Sequence, residues 1–509
     1  MKKAILFLLV WCGAILAFGQ DKYWVFFKDK EFKADVSYIS REAAINRQRL
    51  QLNVTQYSDA PVNEAYVRQL QSATGAQIIN YSKWLNAVTT RLTDQQACDV
   101  ALMHGVVSVR RVQNRVTLAA AKSSPESFAL GQINAWALEE AGLSGRGVNV
   151  GVIDGNYYCA DIDPALQHVF ANKQIVAARD FAESKSPGDL FKPLRNDNEM
   201  HGSAVLKLIA GYDKNKDERF GAAPSVRFYL ARTEVSDKEF RGEEDYWISA
   251  LEWMDSVGVR LVNSSLGYTS GFDNPEENHT PEQMDGTASP ISSVANIATR
   301  DKGMVLVIAA GNEGENLDWQ VVAAPADAKG VITVGTTDVF GLKKRWSSIG
   351  PSALTYVKPN VSVYSSTGTS YSAPVITGIV ACMLEKNPSL TSHQVLNILQ
   401  ASSHLAGYGN NYLGYGVPDA RKVLVLLSDS NAVVAPVSEE VKQAGNVFSL
   451  RVPESESLSA VVFHKGDQFF VRDQEYIDII KESLSVTKPY RARRSTVVLK
   501  NRTIEIIWE

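Results

Sequence analysis

Gly368-Thr369-Ser370-Tyr371-Ser372-Ala373-Pro374 runs directly into the apolar stretch Val375-Ile376-Thr377-Gly378-Ile379-Val380-Ala381. A serine behind Gly-Thr, at the start of an apolar helical run, sits where helix-end amides point outward and a hydroxyl can be exposed. Serine alone is a poor nucleophile. It needs a base, an acid that orients the base and a donor for the developing oxyanion. Three upstream stretches supply candidates. Val150-Gly151-Val152-Ile153-Asp154-Gly155 reads as a buried strand with a carboxylate at its end. His201-Gly202-Ser203-Ala204-Val205-Leu206 opens a helix with a histidine, and Val305-Leu306-Val307-Ile308-Ala309-Ala310-Gly311-Asn312 is a second buried strand ending in an amide.

Singly, each residue has an ordinary explanation: serine as a helix cap, aspartate as a turn former, Asn312 as a turn residue, histidine as a satisfied core group. Together, the order Asp154, His201, Asn312, Ser370 resembles the subtilisin-like serine proteases, over residues from about 127 to 428. The resemblance implies Ser370 as nucleophile, His201 as general base and then acid, and Asp154 as the group that orients the imidazole. Asn312 would be the oxyanion donor, with the backbone N–H of Ser370 as the second. Three departures from the family's usual pattern stand out: Ser203 in place of Thr, Tyr371 in place of Met, and Gly155-Asn156 in place of a small residue followed by Gly. None removes a reacting group.

The same resemblance places Ser265-Leu266-Gly267, after the strand Val259–Asn263, as the segment that pairs with substrate backbone. The family's spacing from Asn312 puts Ala323 near the base of the S1 pocket, where a small residue leaves room for a sizeable apolar side chain. Polypeptides are therefore the expected substrates. No cofactor is required for such chemistry. Asp213-Lys214-Asn215-Lys216-Asp217-Glu218 alternates oxygen-bearing residues in a region where family members bind structural Ca2+. It lacks the Gly and distant Glu of the twelve-residue calcium loop, so it reads first as a solvated loop, and no residue is assigned to a metal. Asp273, Glu276, Glu277, Glu282 and Asp285 form an acidic stretch beside the substrate segment.

Composition is that of a soluble globular protein: 509 residues, 45% hydrophobic, 21% charged, net charge −4. That balance offers no footprint for nucleic acid. Residues 1–19 read as an export signal, with Lys2 and Lys3 ahead of the apolar run Ala4 to Phe18. No later segment is long enough to span a membrane, so the mature protein is expected to be secreted, without a membrane span. Of the four cysteines, Cys12, Cys98, Cys159 and Cys382, only Cys159 and Cys382 lie in the expected mature chain; one bridge between them or a buried thiol at Cys382 are both open.

Residues 20–122 alternate strands and helices: Tyr23–Phe27, Gln77–Tyr81, Leu85–Thr89 and Val106–Val109 as strands, Arg41–Leu52, Glu64–Ser72 and a segment opened by Thr93-Asp94-Gln95-Gln96 as helices. The pattern is similar to the inhibitory pro-domain of many subtilisin-like enzymes, and the linker Thr117–Ser127 is small and polar. The chain's own pro-domain is thus an expected partner. Residues 127–428 alternate Val/Ile-rich strands with helices, which predicts a mostly parallel sheet sandwiched by helices, an α/β subtilisin-like fold. Residues 429–509 carry short strands and read as a small β-rich domain. The expected function is a secreted serine endopeptidase made as an inhibited precursor; a transpeptidase or a catalytically silent binding protein on the same fold are the alternatives.

Overall fold

The computed structural model describes residues 21–36, 60–82, 86–111, 125–182, 190–192, 200–235, 242–270 and 278–509, with Tyr38, Thr55, Tyr57 and Phe272. The predicted signal 1–19, the helix Arg41–Leu52, the linker residues 117–124 and the acidic Asp273, Glu276 and Glu277 lie outside the described residues. The chain divides into two compact units, Met1–Leu118 and Ala119–Glu509.

In the first unit, β1 (Asp21–Phe27), β2 (Ile78–Ser82), β3 (Ala87–Leu92) and β4 (Val106–Arg111) form an antiparallel sheet in the order β2-β3-β1-β4. Alternate residues Tyr23, Val25 and Phe27 are buried, joining Val67, Leu70, Val88, Leu92 and Val100 in one core. The helices Glu64–Thr74 and Asp94–Ala101 cover that face. The second is opened by the predicted capping box: Gln96 N donates to Thr93 Oγ1 (3.2 Å) and Thr93 N to Gln96 Oε1 (2.9 Å).

The second unit is built on β5 (Asn149–Asp154), β6 (Ile175–Asp180), β9 (Arg227–Arg232), β10 (Leu261–Ser264), β11 (Val305–Ala309), β12 (Ile332–Thr337) and β13 (Val361–Tyr364), with β7 (Tyr212–Asp213) and β8 (Glu218–Arg219) forming a separate hairpin. The seven strands run parallel in the order β13-β12-β11-β10-β5-β9-β6. Both faces are buried, which is why the central strands are mostly apolar, with β11 apolar at every position. In β11, Val305, Val307 and Ala309 face one core with the helices His201–Ala210 and Ala373–Lys386; Leu306 and Ile308 face the other, with Gly242–Ser256 and Pro290–Asp301. The carboxyl ends of β5, β10 and β11 lie side by side in the sheet. Ligands of open parallel sheets bind at such ends.

The expected helix Ser370–Lys386 begins differently. Thr369–Tyr371 is a single 3₁₀ turn, and the α-helix starts at Ala373 with Pro374 in its first turn. Proline is welcome there because that N–H has no intrahelical partner. Cys382 is a free thiol and forms no bridge with Cys159; burial pushes its pKa up to about 12.

Toward the C-terminus, β14 (Val437–Gln443), β16 (Ser459–Lys465), β17 (Val471–Asp478), β19 (Arg494–Val498) and β20 (Arg502–Trp508) make a five-stranded sheet, ordered β14-β20-β19-β16-β17. β15 (Val447–Arg451) and β18 (Ser483–Thr487) pair separately. β17 starts only at Val471, because Asp467 Oδ1 accepts from Phe469 N and Phe470 N (both 2.8 Å) and holds a turn there. Phe463 and Val471 of this region share a core with Leu405 and Leu413.

Candidate active site

Asp154 ends β5 fully buried, and its Oδ1 accepts from Gly155 N at 2.8 Å and meets His201 Nδ1 at 2.7 Å. Since a carboxylate only accepts, Nδ1 carries the proton and Nε2 is left bare as an acceptor. His201 heads its helix because the preceding turn is pinned: Gly202 N donates to Asn156 O at 2.9 Å. A Cβ at Gly202 would lie 2.4 Å from that same oxygen, so only glycine allows the approach. The departure at Ser203 is harmless, its buried hydroxyl donating to Tyr158 O at 2.6 Å.

Burial pushes the His201 imidazole down, but the charge and hydrogen bond of Asp154, joined by the charge of Glu234, outweigh it. The net result is a pKa raised above the ordinary 6.5. Glu234 follows β9, the neighbour of β5, and its Cγ lies 3.7 Å from where a Cβ of Gly155 would be. Its Oε1 accepts from Thr233 Oγ1 (2.9 Å) and Tyr268 Oη (3.0 Å). Sequence reasoning passed over Glu234. Its signal was a second carboxylate just past a buried strand, legible only once β9 is known to lie beside β5.

Ser370 lies in the 3₁₀ turn, half-buried, and its Oγ donates to Ser265 O at 3.0 Å. Ser265 Oγ returns a bond to Ser370 O (2.8 Å) and accepts from Asn263 Nδ2 (3.1 Å), whose Oδ1 accepts from Thr377 Oγ1 (2.8 Å). This buried polar chain fixes the serine turn to the end of β10. Tyr371 places its ring 5.4 Å from the His201 ring, so the serine turn and the histidine are neighbours.

Asn312 is exposed, but its Oδ1 is held by Thr369 N (2.9 Å) and Thr369 Oγ1 (3.1 Å). A backbone N–H can only donate, so the amide oxygen must face Thr369 and the Nδ2 donor faces away from it. The turn depends on Gly311, which has φ +104 and receives Ser348 N on its carbonyl at 3.1 Å. Thr369, which joins Asn312 to the serine turn, is a second residue that sequence reasoning left unassigned.

Among the described residues no hydrogen bond engages the backbone of Leu266 or Gly267, while Tyr268 pairs with Ala324 on both sides (2.9 and 3.1 Å). Ala323 is buried beneath this edge: a Cβ at Gly267 would lie 2.7 Å from its methyl group. Ser265 thus bonds the serine turn, and Ala323 lies against Gly267 and 3.5 Å from where a Cβ of Gly311 would be. In the Asp213–Glu218 stretch, by contrast, Asp213 and Asp217 are engaged by near neighbours in the chain. Asp213 accepts from Asn215 N (3.0 Å) and pairs with Lys216 (3.5 Å), and Asp217 accepts from Tyr212 Oη (2.7 Å). Among the described residues no group of acidic, histidine or cysteine side chains suits a metal ion.

The description "Subtilase family" matches residues 145–417, and "Peptidase S8 propeptide domain, Bacteroidota" matches residues 22–127. Subtilisin NAT of Bacillus subtilis subsp. natto is 27% identical over 365 residues, 70% of this chain and 85% of its own. Subtilisin BL of Lederbergia lenta is 29% identical over 302 residues, 58% and 96% respectively. Among solved structures, the CspB protease of Clostridium perfringens aligns at TM-score 0.49 and 14% identity, covering 59% of this chain and 99% of its own. Fervidolysin of Fervidobacterium pennivorans aligns at TM-score 0.43 and 16% identity, covering 94% and 71%.

Proposed function

This chain belongs to the subtilase family and is a subtilisin-like serine protease with its own propeptide domain, and from that premise we propose a secreted endopeptidase that acts through Asp154, His201, Ser370 and Asn312. The single observation that carries the reading is the part-buried 2.7 Å bond between Asp154 and His201, which leaves Nε2 free to act as a base, in a ring that neighbours Tyr371 of the serine turn.

Rotation of the Ser370 hydroxyl away from Ser265 O presents Oγ to a peptide carbonyl lying along Ser265-Leu266-Gly267. Oγ bonds to the carbonyl carbon and its proton passes to His201 Nε2. The imidazolium is stabilised by Asp154 and Glu234. Negative charge then collects on the former carbonyl oxygen, where Asn312 Nδ2 and Ser370 N donate. Collapse breaks the C–N bond and Nε2 returns the proton to the leaving amine. Water, deprotonated by the same nitrogen, then releases the acyl group. Losing one oxyanion donor costs about 10²–10³ in rate, a magnitude that comes from a subtilisin and not from this geometry. Subtilases need no cofactor for this chemistry. A small Ala323 beneath Gly267 supports a pocket that takes a sizeable apolar P1 residue.

The apolar run Ala4–Phe18 behind Lys2 and Lys3 supports export, and no helix among the described residues is long and apolar enough to cross a membrane. We place the signal at 1–19, the inhibitory segment at 20–122, the catalytic region at 127–428 and the β-rich region at 429–509. The test is mass measurement and N-terminal sequencing of wild type and Ser370→Ala, with fluorophosphonate labelling. Wild type should label and begin near Lys122–Ser127; the variant should not label and should begin near Gln20. Equal labelling of both proteins refutes Ser370 as nucleophile.

A further inference from the structure

The β-rich C-terminal region reaches the oxyanion turn through a short, fully traceable path. Gln474, half-buried on β17, turns its carboxamide onto both peptide groups of Lys343: Lys343 N donates to Oε1 and Nε2 donates to Lys343 O, each at 2.9 Å. The reciprocal pair fixes the orientation of the amide, which serves Lys343 as a neighbouring strand's peptide would. The Lys343 side chain turns back into its own loop, where Nζ donates to the carbonyls of Lys344 (2.9 Å), Arg345 (3.0 Å) and Ser347 (2.9 Å). A nearly buried ammonium thereby closes the loop on its first residue.

The far end of that loop grips the residues on either side of Asn312. Ser348 N donates to Gly311 O at 3.1 Å, Glu313 N donates to Ser348 Oγ at 3.0 Å, and Gly314 N donates to Trp346 O at 2.8 Å. Thr369 holds the Asn312 side chain; the Lys343–Ser348 loop holds the backbone on either side of it. The start of β17 is itself anchored, since Asn411 N donates to Phe469 O (3.1 Å) and Val471 N to Asn411 Oδ1 (2.8 Å).

We propose that the C-terminal β region is part of the catalytic body, and that Gln474 is a positioning residue which holds Asn312 in place through the Lys343–Ser348 loop. The inference rests on the reading of Asn312 as oxyanion donor. Such a donor works only within a fraction of an ångström of its place, because misplacement by about 1 Å can cost about 10²-fold in rate.

The experiment is a double-mutant cycle on the self-matured enzyme, with kcat and KM measured well below the melting temperature. Gln474→Met keeps the length of the side chain and loses both bonds. It should lower kcat about 3- to 10-fold with KM within about twofold, a loss smaller than that of outright misplacement. In an Asn312→Ala background the same change should alter kcat less than about 1.5-fold, because the group it positions is gone. Gln474→Glu, which keeps the bond to Lys343 N, should fall between wild type and Gln474→Met, and it carries the test if the Met variant fails to fold. Arg451→Ala, which removes an exposed pair with Glu482 in the same β region, should leave kcat unchanged. The proposal is overturned if Gln474→Met leaves kcat at the wild-type value, or lowers it by the same factor with and without Asn312. If Asn312→Ala alone leaves kcat intact, the oxyanion reading fails first and this one with it.

Discussion

Gly202→Ala adds a single methyl group next to the proposed base, and the structure sets what that methyl must displace. Its Cβ would lie 2.4 Å from Asn156 O and 2.9 Å from two ring carbons of Tyr157. Neither neighbour can yield. Asn156 O is the acceptor for Gly202 N, and Tyr157 is buried with its hydroxyl donating to Val152 O (2.8 Å) and Ala231 O (3.0 Å). Relief to ordinary contact needs a shift of about 1 Å, taken up at the start of the helix. His201 moves with it. The 2.7 Å bond to Asp154 would then open beyond hydrogen-bonding distance. Overpacking of this kind costs about 1–3 kcal/mol of stability, and a base misplaced by about 1 Å costs about 10²-fold in kcat/KM. Hydrolysis of a fluorogenic peptide gives the second quantity and thermal melting the first. The control is Gly131→Ala, where a Cβ meets no atom within 4 Å, so stability and rate should be unchanged or slightly improved. A Gly202→Ala enzyme within threefold of wild type and equally stable would refute the account of how His201 is placed.

Because the imidazole must be neutral to take the serine proton, and its pKa is raised, kcat/KM should fall with decreasing pH around a midpoint above the ordinary 6.5. Glu234→Gln should move that midpoint downward; an unmoved acid limb contradicts the role given to its charge. The same raised value means that the protonated His201 contributes stability below about pH 6.5, lost as pH rises through the folded-state value. In the C-terminal region, Lys465 and Glu505 pair at 2.8 Å with both side chains almost wholly buried. Lys465→Met should therefore destabilise by up to about 3–5 kcal/mol, whereas Lys465→Met with Glu505→Leu should recover most of it, since only the single change leaves the buried carboxylate with no closer cation than Arg494 at 3.7 Å. Equal melting of the two variants would argue against a desolvated pair.

The order of the four site motifs was readable because each is local. A buried parallel strand is mostly apolar, so a polar residue at or just past its end is conspicuous: Asp154 ends β5, and Asn312 follows β11 by three residues. The capping box at Thr93 was readable for the same reason, its signal lying within one turn. Strands without a local pattern were not. β6 is an edge strand with partly exposed residues, β13 has four residues, and β14 reads Val-Ser-Glu-Glu-Val-Lys-Gln, polar because it is mostly exposed. Tertiary structure alone decided what meets what. Asp154 finds His201 across 47 residues, Thr369 finds Asn312 across 57, and Gln474 finds Lys343 across 131. Glu234 gains its effect on His201 only because β9 lies against β5. Periodicity and caps report the environment of a residue along its own segment, whereas a charge or an amide acts on whatever the fold brings within a few ångströms of it.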